Sequence, residues 1–196
     1  MAKATKTAKP IMTPDDERFM AFEGLVQWTQ TVATQSARVA AARDHQFSVT
    51  VGMTSTPAQR RQAALAFHSE CHFFAVAAHK LLEFRDWVLT FGLCASVNFD
   101  EINRFCAQDI RDLRNMREHV VDYFRGVGNA YDRWIVETSD YKADASSVGG
   151  NMIGGRLDWV AFGAAAERLL PQLLAEPIPY PPQWSKPWVK FKDSAL

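Results

Sequence analysis

Residues 99–125 read FDEINRFCAQDIRDLRNMREHVVDYFR. Ile102, Phe105, Cys106, Ile110, Leu113, Met116, Val120, Val121 and Phe124 recur at three- and four-residue steps. That is the period of one packed helical face. Arg104, Gln108, Arg111, Asn115, Glu118, His119 and Asp122 take the other side. Asn98 suits an N-cap, and Asp100 and Glu101 suit the positive end of the helix dipole. The pattern predicts one helix over about 99–125, ended by Gly126 and Gly128. Inside it, Asn115 and His119 are four apart and share a face. Arg114 lies about 140° from His119 around the axis. One helix does not readily close both groups on one atom. Two copies related by a two-fold can.

The chain before this stretch also reads as helix. Thr13 followed by Pro14, Asp15, Asp16 and Glu17 is a helix start: a cap, a proline for the first position, then acids. The helix is expected to reach Arg43, with Phe19, Phe22, Val26, Thr29, Ala33 and Ala40 on its packing face. His45 to Ser55 reads as a connection with a short extended piece at Phe47–Val51. Thr56 and Pro57 start a second helix by the same signals, ending near Phe91 and Gly92. Its seam is Phe67, Cys71, Phe74, Ala78, Leu81 and Val88, interrupted by Arg85. A second narrow face carries Arg61, His68, His72, His79, Glu83 and Asp86. A solvated stripe is the commoner meaning of such a face. The functional meaning is a wall of a polar cleft, bordered by His72, His79 and Glu83. A short loop makes this helix the antiparallel neighbour of the third.

After residue 126 the signals change. Trp134–Thr138 is β-prone, and residues 146–148 and 151–153 flank Gly149-Gly150 as a small hairpin. Asp158 caps a last helix on which Leu157, Val160, Ala161, Ala164, Ala165, Leu169 and Leu170 are expected to pack, with Pro171 ending or kinking it. From Pro177, five prolines interleave with Tyr180, Trp184 and Trp188 as an extended arm. The expected organisation is a disordered basic tail (1–13), one helical domain (14–175) with a β-prone insert at 133–155, and a Pro/Trp-rich arm (176–196). The expected fold class is mostly α, an antiparallel four-helix-type bundle.

Composition narrows function. Lys+Arg and Asp+Glu are both 22, so nucleic-acid binding would need a local basic patch rather than overall charge. The three cysteines, Cys71, Cys94 and Cys106, have no metal-ligand spacing and read as small buried hydrophobes of a reducing compartment. No run approaches the ~18 apolar residues of a membrane span, and the N-terminal lysines precede no apolar stretch that would make a secretory signal. A cytoplasmic protein is expected. P-loop, dinucleotide-binding and nucleophile-elbow motifs are missing, and Gly149-Gly150 and Gly154-Gly155 read as turns.

The chemistry that Arg114, Asn115 and His119 can supply is metal-free phosphodiester cleavage. Histidine acts as general base or acid on the ribose 2′-OH or the leaving oxygen. Arginine holds the phosphate and the charge that builds on it. Asparagine orients the histidine or donates to phosphate. Arg114-Asn115-Met116-Arg117-Glu118-His119 resembles the R-x(4–6)-H motif of the HEPN superfamily, small α-helical bundles with the motif in a late helix. The resemblance covers about 14–175 in architecture, and six residues carry it. It implies a metal-independent endoribonuclease with Arg114 and His119 catalytic and Asn115 supporting. It further implies no cofactor or metal, an RNA substrate, a homodimer, and a cognate antitoxin or partner protein as in toxin–antitoxin systems. The β-prone insert and the Pro/Trp arm depart from the family's common core, which leaves subfamily and substrate open.

Two rivals stand beside it. Arg111, Arg114, Glu118, Asp122 and Arg125 make opposite-charge pairs at helical spacing, which suits a non-catalytic dimeric bundle for interaction or regulation. The family too includes non-catalytic members that bind nucleotides or partners. His68 and His72, with His79, Glu83 or His119, are a candidate metal set, although the Glu-x-x-His pairs of di-iron bundles and the H-E-x-x-H motif are missing.

Overall fold

The computed structural model describes residues 13–52 and 54–179. The expected N-terminal tail, Thr13 apart, and the arm from residue 180 lie outside the described residues. Two long helices dominate, α1 (Pro14–Val51) and α2 (Pro57–Thr90). Both start at capping boxes. Thr13 and Asp16 bond reciprocally, as do Thr56 and Gln59, each pair satisfying backbone N–H groups that no helix turn can reach.

α1 runs past the expected stop at Arg43, and the Phe47–Val51 segment is helical rather than extended. Its β-branched residues lower helix propensity only weakly. The hydroxyls of Ser48 and Thr50 bond back to the carbonyls of His45 and Gln46 at 2.9 and 2.7 Å. The first turns of α2 flank the extension: His45, Ser48 and Val49 share a 540 Å³ cleft with Gln59, Gln62 and Ala63. The buried line of α1 is Phe22, Leu25, Thr29, Val32 and Val39, offset from the expected face, since Phe19, Val26, Ala33 and Ala40 are only half-buried. In α2 every residue of the expected seam is buried. Arg85 is buried within that seam. Its charge is met by Asp86 Oδ1 at 2.6–2.9 Å and by Asn103 Oδ1 at 2.9 Å.

The expected third helix is three pieces: α3 (Asp100–Asn103), α4 (Ala107–Glu118) and α5 (Val120–Phe124). Cys106 is extended (φ −69°, ψ 109°), and His119 leaves helical geometry (φ −108°, ψ 30°). The first break seats Phe105 edge-on against Phe162, with ring centres 4.8 Å apart. It also exposes Cys106, while Cys71 and Cys94 are buried as expected. The second break rotates α5 relative to α4. Tyr123 becomes buried and stacks on Trp134 at 5.0 Å, while Val121 and Phe124, expected to pack, are exposed. A side chain on Gly128 would meet the Tyr123 ring at 2.6 Å, so glycine there permits the stack.

A 3-10 turn (Tyr131–Arg133) leads into the insert. β1 (Ile135–Glu137), the expected β-prone piece, pairs antiparallel with β2 (Lys142–Asp144). β3 (Val148–Gly149), β4 (Met152–Ile153) and β5 (Leu157–Asp158) form a second antiparallel sheet. The hairpin turn is Gly150-Asn151, one residue later than expected, because Gly149 pairs with Met152 and Gly150 takes the positive φ of +57°. The insert sits on α4: a Cβ on Gly154 would lie 2.4 Å from Leu113 Cδ1.

Asp158 caps α6 (Trp159–Ala175), accepting from the N–H groups of Val160 and Ala161 at 3.0 Å each. The buried face is Phe162, Ala165, Ala166, Leu169 and Leu173. Val160 and Ala161 point to solvent. Helix α6 also continues through Pro171 to Ala175. Pro171 and Glu167, whose carbonyl loses its partner there, are both exposed, so water can satisfy the freed group. α1 packs along α2 and against α6, and α4 lies on α2. The fold is mostly helical with small antiparallel sheets, and the bundle core gathers Phe74, Leu25, Leu81, Leu113, Met116 and Phe162. Among the described residues no helix is long and apolar enough to cross a membrane.

Candidate functional site

α4 is held by Ile110, Leu113 and Met116, all buried. This packing fixes which side chains face outward. Arg114 Nη1 donates to Asn115 Oδ1 at 2.8 Å, and Arg114 Nε lies 2.9 Å from Glu118 Oε1. Asn115 lines two neighbouring cavities. One, of 290 Å³, is shared with His79, Glu83, Asp86 and Arg111 of the α2–α4 groove. The other, of 420 Å³, is shared with Asp112, His119, Asp122 and Tyr123.

His119 stands at the helix break. Its backbone N–H donates to Asn115 O at 3.0 Å, which closes α4. Its imidazole is 66% exposed, with Nδ1 3.9 Å from Asp122 Oδ2, and makes no hydrogen bond among the described residues. Within one chain no hydrogen bond or ion pair joins Arg114 to His119 among the described residues. Arg114 belongs with α2, while His119 opens on the cavity toward α5. Asn115 is the residue between them.

The α2 stripe lies along this groove. Burial holds the imidazoles of His68, His72 and His79 below their ordinary value. The guanidinium of Arg117 pushes His68 and His72 the same way, and that of Arg114 acts on His72 and His79. These histidines are therefore neutral near pH 7. His79 Nδ1 is buried without a hydrogen-bond partner among the described residues. Glu83 is held below the usual carboxylate range by Lys80, whose Nζ donates to it at 2.6 Å. His79 and Glu83 line the α2–α4 cavity with Arg111 and Asn115, whereas His72 lines a different one with His68 and Arg117. Among the described residues no three of the His, Cys, Asp and Glu side chains converge as a metal site.

Two features escaped the sequence. Asp112 is buried on α4, accepts from Gln108 Nε2 at 2.7 Å, and pairs with Arg133, which also bonds to Asp109 at 3.2 Å. The Gln108–Asp112 spacing of four was the available signal. The Arg133 partner was not, because it comes from beyond the helix. Arg117, a residue with no assigned role in the motif, is largely buried and ties the insert to the bundle. Its Nη1 donates to Ala145 O and Ser146 O at 3.0 and 3.2 Å, and its Nη2 to His68 O at 3.2 Å.

Comparison with protein-family models, with curated proteins and with solved structures finds no match for this chain.

Proposed function

We propose that this chain is a HEPN-like bundle that cleaves RNA without a metal, at a cleft formed where the α4 faces of two copies meet. In this reading α1, α2, α4 and α6 are the four helices of the bundle. The observation that carries it is the exposed imidazole of His119, with only Asp122 at 3.9 Å beside it, next to Asn115 at the end of the helix that also presents Arg114. An exposed imidazole at a helix end is available to move a proton. It takes the proton of the ribose 2′-OH as the 2′-oxygen bonds to phosphorus. The bond from phosphorus to the 5′-oxygen then breaks, and that oxygen leaves with a proton from the second copy's histidine. Arg114 of either copy holds the phosphate oxygens that gain charge. RNA is the substrate, a second copy of this chain completes the site, and a protein antitoxin is the expected regulator, in a cytoplasmic setting.

A specific observation favours a second reading. Arg114 is engaged within its own chain by Glu118 and Asn115. A non-catalytic dimeric bundle would need no more. The deciding experiment incubates total RNA with wild type, Arg114→Ala and His119→Ala in EDTA, with oligomeric state and helicity followed in the same preparations. EDTA-resistant cleavage that both substitutions abolish, with fold and dimer intact, supports the ribonuclease. Cleavage that persists in both variants rules it out. Loss of the dimer without any activity to lose favours the non-catalytic bundle.

A further inference from the structure

A fourth cavity, of 330 Å³, opens between α2, α4, α5 and the insert. Its walls are of two kinds. Leu65, Phe73 and Val120 give an apolar side, with Leu65 58% and Phe73 57% exposed at its rim. Arg117, His68 and His72 give the polar side. Phe73 meets His72 edge-on, with ring centres 5.7 Å apart.

No carboxylate forms a direct ion pair with Arg117 among the described residues, although Asp144 acts on its charge from a longer distance. Its hydrogen-bond partners are three carbonyl oxygens. Asp144 and Glu118, the neighbour of Arg117 along the chain, each have closer partners. Asp144 accepts from the N–H and hydroxyl of Ser146 and the N–H of Ser147 at 2.6–3.0 Å, and Glu118 pairs with Arg114. A guanidinium has five N–H groups. Three are used and Nε is buried without a partner, so one Nη2 hydrogen is left for the cavity that Arg117 lines. A largely buried cation without a direct ion pair is costly, and an anion that reached it would offset that cost. The other ring donors are the imidazoles. The Ser69 and Ser146 hydroxyls already donate to Leu65 O and Asp144 Oδ1. One guanidinium hydrogen beside neutral imidazoles suits a monoanion with two oxygens. The apolar wall suits a hydrocarbon body attached to it.

We propose that this cavity binds a small organic carboxylate with an aryl or alkyl body, its carboxylate on Arg117 beside His68 and His72 and its body against Phe73, Leu65 and Val120. The site goes beyond the RNA-cleaving reading and stands or falls separately from it. A cavity of ~300 Å³ is at the small end of ligand sites, which limits the body to about one ring or a short chain.

The test is calorimetric titration of the full chain with benzoate and hexanoate, alongside benzyl alcohol, hexanol and diethyl phosphate. Both carboxylates are expected to bind at least about tenfold tighter than their alcohols, as charge-assisted bonds require. Phe73→Ser should weaken carboxylates and alcohols alike. Arg117→Gln should erase only the carboxylate preference. Should Arg117→Gln fail to fold by circular dichroism, the wild-type preference together with Phe73→Ser decides. Equal binding of acids and alcohols, or no binding up to ~10 mM, overturns the site. Diethyl phosphate binding as tightly as the carboxylates would mean that the cavity reads a phosphodiester, and the carboxylate assignment falls. RNA cleavage in the same preparations is scored separately, so loss of one reading is not mistaken for loss of the other.

Discussion

Arg114 Nε lies 2.9 Å from Glu118 Oε1, one turn along α4, so a carboxylate of its own helix already engages the motif's guanidinium. An ion pair of this half-exposed kind is worth roughly 0–1 kcal/mol. A phosphate can therefore compete with it. Replacing Glu118 by Gln removes a negative charge beside the proposed cleft. Unfolding in urea should shift by no more than about 1 kcal/mol, while RNA affinity, read by fluorescence anisotropy at several salt concentrations, should rise. Unchanged affinity with a large loss of stability would make the pair a structural tie and favour the non-catalytic bundle.

Acid should destabilise the protein before its carboxylates titrate. His68, His72 and His79 have folded values below the ordinary imidazole value, mainly through burial. The unfolded chain therefore takes up protons first, near pH 6.5. Their contribution is complete above about pH 6.5 and is lost as pH falls from there through the folded values. Glu83, Asp16 and Glu101 are also held low, but their contribution fades only below about pH 4.5. Urea midpoints at about pH 7.5 and about pH 5.5 isolate the histidines. A flat profile across that window would contradict the partial desolvation of these imidazoles.

Thiol reactivity should separate the cysteines. Burial pushes the Cys71 thiol up to about 12 and the Cys94 thiol up to about 11, which keeps both as unreactive thiols. Cys106 is exposed at the break before α4. A chromogenic disulfide reagent should titrate one thiol in the native protein and all three in denaturant. Two fast-reacting thiols in the native state would mean that the α2 or α2–α3 packing is open.

The approach of α6 to α1 depends on Gly163. A Cβ there would lie 2.2 Å from Ser36 Oγ and 2.6 Å from Ser36 Cβ. Gly163→Val should cost about 1–3 kcal/mol through overpacking, outweighing the roughly 0.3–0.5 kcal/mol of helix propensity gained on going from glycine to valine. Ala161→Val, on the exposed face of the same helix, should stay within about 0.5 kcal/mol. Equal effects in thermal melts would show that the close approach is not maintained.

The legible parts of the fold were those with local causes. Thr13-Pro14 and Thr56-Pro57 start helices because a capping side chain and a fixed proline φ act within one turn. The α2 seam from Phe67 to Val88 was readable because a straight helix with one buried face repeats its signal. β1 and the Asp158 cap were readable for the same local reasons. On α4, the placement of Asn115 on a polar face followed from periodicity alone.

By itself, then, the sequence determined helix starts, the α2 core line and the residue types at the candidate site. Tertiary structure alone decided where helices continue and where they break. α1 continues past Arg43 beside the first turns of α2. The third helix breaks at Cys106 so that Phe105 meets Phe162, and at His119 so that Tyr123 reaches Trp134. α6 continues through Pro171 because its buried face holds while the freed carbonyl faces water. The same packing turned Arg114 toward α2 and His119 toward α5, and left Arg117 largely buried among carbonyls of the insert. Each of these choices is settled by partners distant in sequence, and periodicity along a single stretch carries no information about them.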